Sequence, residues 1–465
     1  MEAFLQPLQG LAEFGEIKKR CGANCGILNV SGCMESQKVH LMYGLSGLFP
    51  YHLILADDER NAKEIYEDYR FYDKNVYFYP AKDLLFFQAD IHGNLLIRQR
   101  MRVIRALLEQ EEVTVVTSID GCMDFLMPLE KIRSRLLHFK SDSVIDLDQL
   151  KEELVELGYE RTGQVELPGQ FSVRGGIIDI YPLTEDNPWR IELWDDEVDS
   201  IRSFDAESQR SLENVDEITI YPAAEKMDGE DMVSFLEYFP EEKTLVFLDE
   251  LNHLAENGEG VEEEYRQSRM HREEKGEANL PEQWLCGFQE LQKKLNRRNC
   301  VAVSALSPRR SGWKINEEFD LTVKSVDSYN SSFELLVKDL ARWKKDGYRV
   351  ILLSGSRTRA GRLAADLTEN GVTAFYSEDM DRVPEPGEIM TACGNIHRGF
   401  EYPLIKFVVI SESDVFGKEH KKKKRQKTYE GQKIQSFTEL SVGDYVVHEN
   451  HGLGVYRGIE KIVVD

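Results

Sequence analysis

The sequence predicts a multidomain α/β protein. Its 465 residues suggest about three domains at roughly 150 residues each. Short apolar runs alternate with amphipathic helical stretches before residue 130 and again after residue 223, a pattern typical of parallel sheets. Between these regions, residues 169–205 carry closely spaced strand patterns without helices, which indicates an inserted, mainly antiparallel sheet.

The first α/β segment has a strand, YHLILA, at residues 51–56. Asp57 or Asp58 can cap the helix that follows. The apolar residues of that helix recur at helical spacing and are Ala62, Ile65, Tyr66 and Tyr69. A strand ended by Pro80, a helix over Arg98–Leu108 and the strand VTVVTS continue the pattern.

The inserted region contains GQFSVRGGIIDIYPL followed by WRIELWDDEVDSIRSFD, which reads as a three-stranded meander. Side chains alternate between the two faces of a strand. The residues predicted to face the core are Phe171, Val173, Trp189, Ile191 and Leu193.

The opposite face of the same strands carries Arg174, Arg190, Glu192 and Trp194. Arginines and rigid aromatic side chains on a sheet are frequent anchors of protein–protein contacts. From spacing alone, a solvated face with one amphipathic tryptophan is favoured over a docking surface.

After the meander the α/β pattern resumes with the buried strands TLVFLDE and CVAVSAL. The charged stretch Glu259–Trp284 between them is predicted to be an exposed helix or loop. We therefore predict that residues 1–130 and 223–327 are two halves of one domain, split by an inserted domain at residues 131–222.

Residues 328–414 are predicted to form a second, small α/β domain. Ser331 and Glu334 make a candidate capping box at the start of its first helix, and Gly347 ends that helix. The strands RVILLS, VTAFYS and KFVVISES complete the domain.

The last part of the chain is predicted to be a basic linker, residues 415–435, and the start of a small β-barrel, residues 436–465. The basic run Lys421–Arg425 is interpreted as solvated rather than as a phosphate contact. His448 and His451 are interpreted as turn histidines, not as a metal pair. Because the barrel pattern stops at Asp465, we expect the chain to be the N-terminal portion of a longer protein.

Composition excludes several classes of function. Lys+Arg 58 against Asp+Glu 83 gives a net charge of −25, so nucleic acid cannot be bound through the overall field. No signal peptide or stretch of 18 apolar residues is present, and no membrane partner is expected. Seven scattered cysteines favour a reducing, cytoplasmic location.

A metal site is not expected. The spacing of Cys21, Cys25, Cys33 and His40 matches no compact zinc module, and free thiols are favoured.

A working nucleotide site is not expected either. Gly44 and Gly47 invite a phosphate-loop interpretation, but no lysine or hydroxyl residue follows Gly47. Asp249 and Glu250 end a strand like a Walker B pair and lack a phosphate cradle. We assign no catalytic residue and no cofactor to this segment, and interpret these four residues as a degenerate site.

The motif G-x-F-x-x-R-G-G-x-x-D-I-Y-P, followed by R-I-E and D-D-E-V-x-S-I-R-x-F-D, resembles the UvrA-binding domain shared by UvrB and the bacterial transcription-repair coupling factors. The resemblance implies UvrA-binding roles for Arg174, Arg190 and Trp194, the last replacing the usual phenylalanine.

The terminal motif G-D-Y-V-V-H-E-N-H-G-L-G-V-Y-x-G resembles the RNA-polymerase-interacting domain of the coupling factors and of CarD-like regulators. The order of modules also resembles the coupling factors: a degenerate RecA-like, UvrB-like domain, the UvrA-binding insert, a third α/β domain and the polymerase module. UvrB would instead need a complete phosphate loop near residue 44.

The resemblance implies a part in transcription-coupled nucleotide excision repair. The parent protein would be an ATP-dependent DNA translocase, a helicase-like hydrolase that displaces RNA polymerase stalled at lesions and recruits UvrA. Its ATP, Mg²⁺ and DNA contacts would belong to motor domains absent here. RNA polymerase, through its beta subunit, would bind the terminal module, and the parent's own C-terminal domain would mask the UvrA face.

Two other functions stay open at the level of sequence. An active UvrB-like nucleotide hydrolase predicts saturable ATP binding that is lost on Asp249→Ala. A non-catalytic scaffold predicts no UvrA binding under any condition.

Overall fold

A computed structural model describes residues 1–22, 25–82, 94–224, 232–275, 285–308, 312–417, 445–448 and 452–455. Contacts divide the chain into two units, Met1–Lys418 and Glu419–Asp465. Most of the predicted basic linker, including Lys421–Arg425, and most of the terminal module, including His451, lie outside the described residues.

Thirteen helices lie in the described ranges. In chain order they are α1 Glu2–Leu8, α2 Ala12–Cys21, α3 Glu35–Ser46, α4 Glu59–Tyr72, α5 Asn94–Glu109, α6 Ile119–Met123, α7 Leu129–Arg133, α8 Leu147–Glu156, α9 Leu251–Lys275, α10 Phe288–Leu295, α11 Phe333–Lys345, α12 Arg357–Glu369 and α13 Glu412–Phe416. Short 3-10 turns add Phe235–Tyr238, Glu241–Lys243 and Pro403–Ile405.

Twenty-five strands lie in the same ranges. They are β1 Ile27–Ser31, β2 Tyr51–Ala56, β3 Val76–Tyr79, β4 Val113–Ser118, β5 Phe125–Leu126, β6 Leu137–Lys140, β7 Glu160–Arg161, β8 Gln170–Arg174, β9 Ile177–Ile180, β10 Trp189–Trp194, β11 Glu197–Phe204, β12 Ser211–Val215, β13 Glu217–Ile220, β14 Val233–Ser234, β15 Thr244–Asp249, β16 Cys300–Val303, β17 Ile315–Asp320, β18 Lys324–Ser325, β19 Arg349–Ser354, β20 Phe375–Tyr376, β21 Ile389–Cys393, β22 Phe400–Tyr402, β23 Phe407–Ile410, β24 Tyr445–His448 and β25 Gly452–Val455.

A seven-stranded parallel sheet forms the centre of the first unit, in the order β17-β1-β16-β15-β2-β4-β3. β1 to β4 precede the insert in sequence and β15 to β17 follow it, so β15 pairs with β2 across an excursion of more than a hundred residues. The predicted alternation of strands and helices is therefore confirmed for this sheet. The boundaries drawn at residues 130, 222 and 327 remain predictions.

The inner strands of the parallel sheet are buried on both faces, which explains why β2, β4, β15 and β16 are continuous apolar runs. Leu53, Leu55 and Leu248 belong to a core that continues into the insert. Ile54 and Phe247 belong to a second core, which reaches the sheet of the small α/β domain. Asp58, one of the two predicted caps, begins α4, because its side chain accepts a hydrogen bond from the Asn61 amide at 2.7 Å.

The insert contains a six-stranded sheet in the order β12-β11-β10-β9-β8-β7, antiparallel except for the β7–β8 pair. The predicted core face is confirmed, because Phe171 and Ile191 are fully buried and the other three predicted residues pack against the same core. The sheet is larger than the predicted meander. β7 and β12 were missed because Glu160-Arg161 and SLENV show little apolar alternation.

The small α/β region has a mixed sheet in the order β18-β22-β23-β19-β21-β20. The predicted capping box is wrong: Ser332 is the N-cap of α11 and makes no side-chain cap bond. Ser331 instead adopts a φ of 68° and its hydroxyl donates to the Phe416 carbonyl. In the second unit, β24 and β25 pair antiparallel. None of the described helices is long and apolar enough to cross a membrane.

His397 joins α4 to the small α/β region. Its Nδ1 lies 2.7 Å from Asp68 Oδ1, its Nε2 lies 3.3 Å from Glu67 Oε2, and its backbone amide donates to the same Asp68 oxygen at 2.8 Å. The hydrogen bond to Asp68 raises the pKa of His397 above its ordinary value, although partial burial opposes the shift.

We expect this ion pair to make stability depend on pH. A histidine whose pKa is raised on folding contributes stability that is fully present below its unfolded pKa and is lost as pH rises through its folded pKa. In the wild type, the urea concentration at the unfolding midpoint should fall as pH rises above about 6.5, the ordinary histidine pKa. His397→Asn should make this fall smaller. The exposed His138→Asn is the matched control, and an unchanged pH profile in His397→Asn would refute the link.

Candidate functional site

The β8–β9 turn presents the first predicted docking residue. Gly175 and Gly176 form a two-residue turn that Arg174 and Ile177 close as a cross-strand pair. Gly175 has a φ of 62°, and a Cβ on Gly176 would lie 3.1 Å from the Leu193 carbonyl oxygen. The left-handed backbone favours glycine at 175 and the close Leu193 carbonyl favours it at 176, and the turn places Arg174 at the end of the sheet with 46% of its side chain exposed.

The β10–β11 hairpin presents Trp194, the third predicted docking residue. Trp194 and Glu197 close a two-residue turn in which Asp195 has a φ of 61°. Trp194 is 80% exposed. Tryptophan is enriched among the anchor residues of protein interfaces, and Trp194 is open to a partner.

Arg190, the second predicted residue, lies deeper than the other two. It is opposite Asp179 on β9, and only 13% of its side chain is exposed. Its Nε and Nη2 donate to Asp179 at 2.6 and 2.9 Å, Nη2 also donates to Gln209 at 3.0 Å, and the guanidinium lies 4.2 Å from the centroid of the Phe204 ring.

Asp179 organises this face and was missed by sequence reasoning. Its side chain is fully buried and accepts from Arg174 Nη2 at 2.7 Å as well as from Arg190. The hydrogen bonds to Asp179 raise the pKa of Arg190 above its ordinary value. The signal was the acidic residue in I-I-D-I, which alternation places on the same face as the two arginines.

The next pair on this face is neutralised internally. Arg202, opposite Arg190 on β11, makes an ion pair with Glu192 through both ends of its guanidinium. Of the three arginines on this face, Arg174 has the most exposed side chain and is the most open to a partner.

The glycines of the predicted degenerate nucleotide site do not lie at a strand-to-helix turn. Gly44 is inside α3, and Gly47 follows its last residue. The turn between β1 and α3 instead contains Gly32, with a φ of 76°, where a Cβ would overlap the Leu321 carbonyl. Sequence reasoning missed this turn because it considered only the glycines before the first strong apolar strand, YHLILA, which is β2.

Asp249 and Glu250 lie at the carboxyl end of β15, and Lys38 of α3 binds both. Lys38 Nζ lies 2.7 Å from Asp249 Oδ1 and 2.6 Å from Glu250 Oε1. Asn61 Nδ2 donates to the second Asp249 oxygen at 2.7 Å. Burial alone would lower the pKa of Lys38, but the two carboxylates raise it. The Lys38 ammonium therefore occupies the position between the two carboxylates.

The cysteine and histidine side chains considered for zinc take part in packing and hydrogen bonding within the fold. His40 is fully buried, with Nδ1 3.2 Å from the Tyr402 hydroxyl and Nε2 3.0 Å from the Phe4 carbonyl. Cys21 and Cys33 are buried thiols. Among the described residues, no group of three or more His, Cys, Asp or Glu side chains is arranged to hold a metal.

Two family models match parts of this chain, one in the inserted region and one at the end of the sequence. The family model described as the UvrB interaction domain matches residues 137–225, which include the whole face around Asp179. The model described as the CarD-like/TRCF RID domain matches residues 440–465.

Relatives that match most of this chain share one name. A transcription-repair-coupling factor of Bacillus subtilis is 29% identical over 94% of this chain and 43% of its own length. Those of Staphylococcus epidermidis and Staphylococcus aureus are each 27% identical, over 89% and 84% of this chain. Over most of its length the chain is therefore similar to transcription-repair-coupling factors. It spans less than half the length of these relatives.

We expect Asp179→Ala to lower the free energy of unfolding by about 3 kcal/mol, because it leaves Arg190 buried beside no counter-charge. The exposed Asp199→Ala, on the neighbouring β11, should change it by less than about 0.5 kcal/mol. Urea unfolding followed by circular dichroism measures both. Equal, small effects would show that the pairing does not organise the sheet.

Lys38→Met should also destabilise the protein by about 3 kcal/mol, since two carboxylates are left facing each other at the end of β15. Adding Asp249→Asn and Glu250→Gln should recover part of the loss. Lys63→Met, which removes an exposed pair with Glu59, should cost less than about 1 kcal/mol. A Lys38→Met variant as stable as wild type in thermal and urea unfolding would contradict the expectation that Lys38 stabilises the two carboxylates.

Proposed function

We propose that this chain supplies the UvrA docking face of a transcription-repair coupling factor and the beginning of its RNA polymerase contact. The observation that carries the proposal is the coincidence of the matched interaction domain with an exposed, pre-positioned surface of Arg174 and Trp194. Such a protein acts in transcription-coupled nucleotide excision repair, in the bacterial cytoplasm.

The physical character of the docking face fits a protein partner. Trp194 offers a large flat apolar surface at low entropic cost, and Arg174 offers a fixed guanidinium already oriented by Asp179. Arg190 is mostly covered, so it contributes the edge of its guanidinium and, through Asp179, the position of Arg174. The favoured partner surface is therefore an apolar pocket for the indole beside a carboxylate for Arg174.

The terminal module would hold RNA polymerase through its beta subunit. Its match to the RID family supports this role, and the antiparallel pair β24–β25 is compatible with the start of a small β-barrel. DNA translocation, with its ATP and Mg²⁺, would belong to motor domains outside this chain.

The parallel sheet would be a degenerate ATPase-type lobe. Its support is the strand–Gly32–helix turn followed by Lys38, which pairs with the acids of the Walker B-like strand. Because the acidic oxygens are already bonded by Lys38, Asn61 and the Ala305 amide, this observation favours a non-catalytic role over the alternative of an active hydrolase.

In the resting parent protein, we propose that its own C-terminal domain covers the docking face. An uncovered, rigid hot spot would recruit UvrA without damage.

The test is binding of the purified 465-residue chain to its cognate UvrA by isothermal calorimetry. Trp194→Ala should weaken binding by at least about tenfold, because it removes the central apolar anchor. Arg174→Ala should weaken it as well.

Leu212→Ala is the matched control, since Leu212 is 57% exposed on β12 of the same sheet. It should bind like wild type, and all variants should keep the wild-type melting temperature. The proposal fails if wild type does not bind, or if Trp194→Ala and Arg174→Ala both bind as wild type does.

A further inference from the structure

A second apolar residue lies in the same row as Trp194. Residues 141–145 follow β6 and run antiparallel beside the start of β11. The Ile145 amide donates to the Asp196 carbonyl at 2.8 Å, and the Val198 amide donates to the Ser143 carbonyl at 2.8 Å. These two bonds flank Val144 and Glu197 and make them a directly opposed pair.

Glu197 is also the cross-strand partner of Trp194. Directly opposed residues in antiparallel strands project from the same face. Trp194, Glu197 and Val144 therefore form one row across three adjacent segments. Burial agrees with this alternation, because the neighbours Val198 and Ile145 are 1% and 8% exposed.

Both ends of the row are open to solvent. Val144 is 73% exposed and Trp194 is 80% exposed. With a spacing of about 4.8 Å between adjacent strands, their side chains project roughly 10 Å apart, a distance that one surface on a partner can bridge. Val144 is therefore mostly open to a partner, and with Trp194 it gives the row two exposed apolar ends.

Acidic side chains surround this row. Asp142, Asp195, Asp196 and Glu197 are all exposed, and within the described part of the chain none of these carboxylates makes an ion pair. The contrast with the other end of the face is clear, since there Asp179 and Glu192 neutralise the arginines.

We propose that Val144 is a second apolar anchor for UvrA, and that the UvrA surface covering this row has apolar contacts for Val144 and Trp194 and a lysine or arginine opposite Glu197 and its acidic neighbours. The inference rests on the proposed function and extends its contact surface from residues 174–194 to the segment at 141–145. A second copy of this chain is a poor occupant, because self-association would bring two sets of four carboxylates together.

The test is calorimetry of the 465-residue chain with cognate UvrA. Val144→Asp should weaken binding by about tenfold, since it places a charge against an apolar contact. Val144→Leu, which keeps an apolar side chain, should retain wild-type affinity.

Val155→Asp is the matched control. Val155 is 55% exposed on α8 of the same inserted region and outside the row. The inference is overturned if Val144→Asp binds within twofold of wild type while Trp194→Ala loses binding, a result that leaves the proposed function standing. Absence of wild-type binding would instead remove the proposed function itself.

The charge of the partner surface is tested separately with Asp195→Asn/Asp196→Asn. Asparagine tolerates the positive φ of residue 195, so the hairpin is kept. We expect weaker binding and a smaller loss of affinity between 50 and 300 mM salt, because fewer charge pairs are screened. Unchanged affinity and salt dependence would refute the basic flank.

Discussion

The pairing of β15 with β2 is the contact on which the first unit depends. It joins chain segments separated by the whole insert, and it places β15 in the middle of a sheet whose other strands come from both sides. Closing so long a loop costs entropy that only extensive burial can offset. Leu245, Val246, Phe247 and Leu248 are all fully buried, so β15 contributes apolar contacts to both cores at once.

Two buried ion pairs in this chain have opposite consequences. At the end of β15, Lys38 pairs with both Asp249 and Glu250 and holds their carboxylates inside the fold. In the inserted sheet, Asp179 satisfies two arginines and leaves part of one of them, Arg174, accessible. A buried charge is costly unless it is paired, so both arrangements fix geometry. The first fixes a closed site, and the second fixes an open surface.

Much of the fold could be predicted from the sequence because its strands are buried on both faces or alternate clearly. The runs YHLILA, VTVVTS and TLVFLDE are strands of one parallel sheet, as expected. The polar edge strands β7 and β12 could not be predicted, since their pairing partners rather than their own residues hold them in place.

The candidate site divides in the same way. Alternation along WRIELW was enough to place Trp194 outside and Ile191 inside. It was not enough to find Lys38 or Val144, because each acts through a partner distant in sequence. Lys38 meets Asp249 across 211 positions, and Val144 meets Glu197 only through the fold of the insert. Hydrophobic periodicity predicts the faces of a single helix or strand, whereas these contacts join two separate elements.

Preorganisation of the docking face has a consequence for regulation under the proposed function. The guanidinium of Arg174 is held by a buried carboxylate, so little of its side-chain entropy remains to be lost on binding, and the backbone that carries Trp194 is fixed by the β10–β11 pairing. Such a surface cannot be silenced by being disordered in the resting state. Control must come from a competing cover that presents the same apolar and charged complement as the partner. If the cover contacts the same residues as UvrA, one side chain serves both contacts. Replacing Trp194 would then weaken both the binding of the cover and the binding of UvrA.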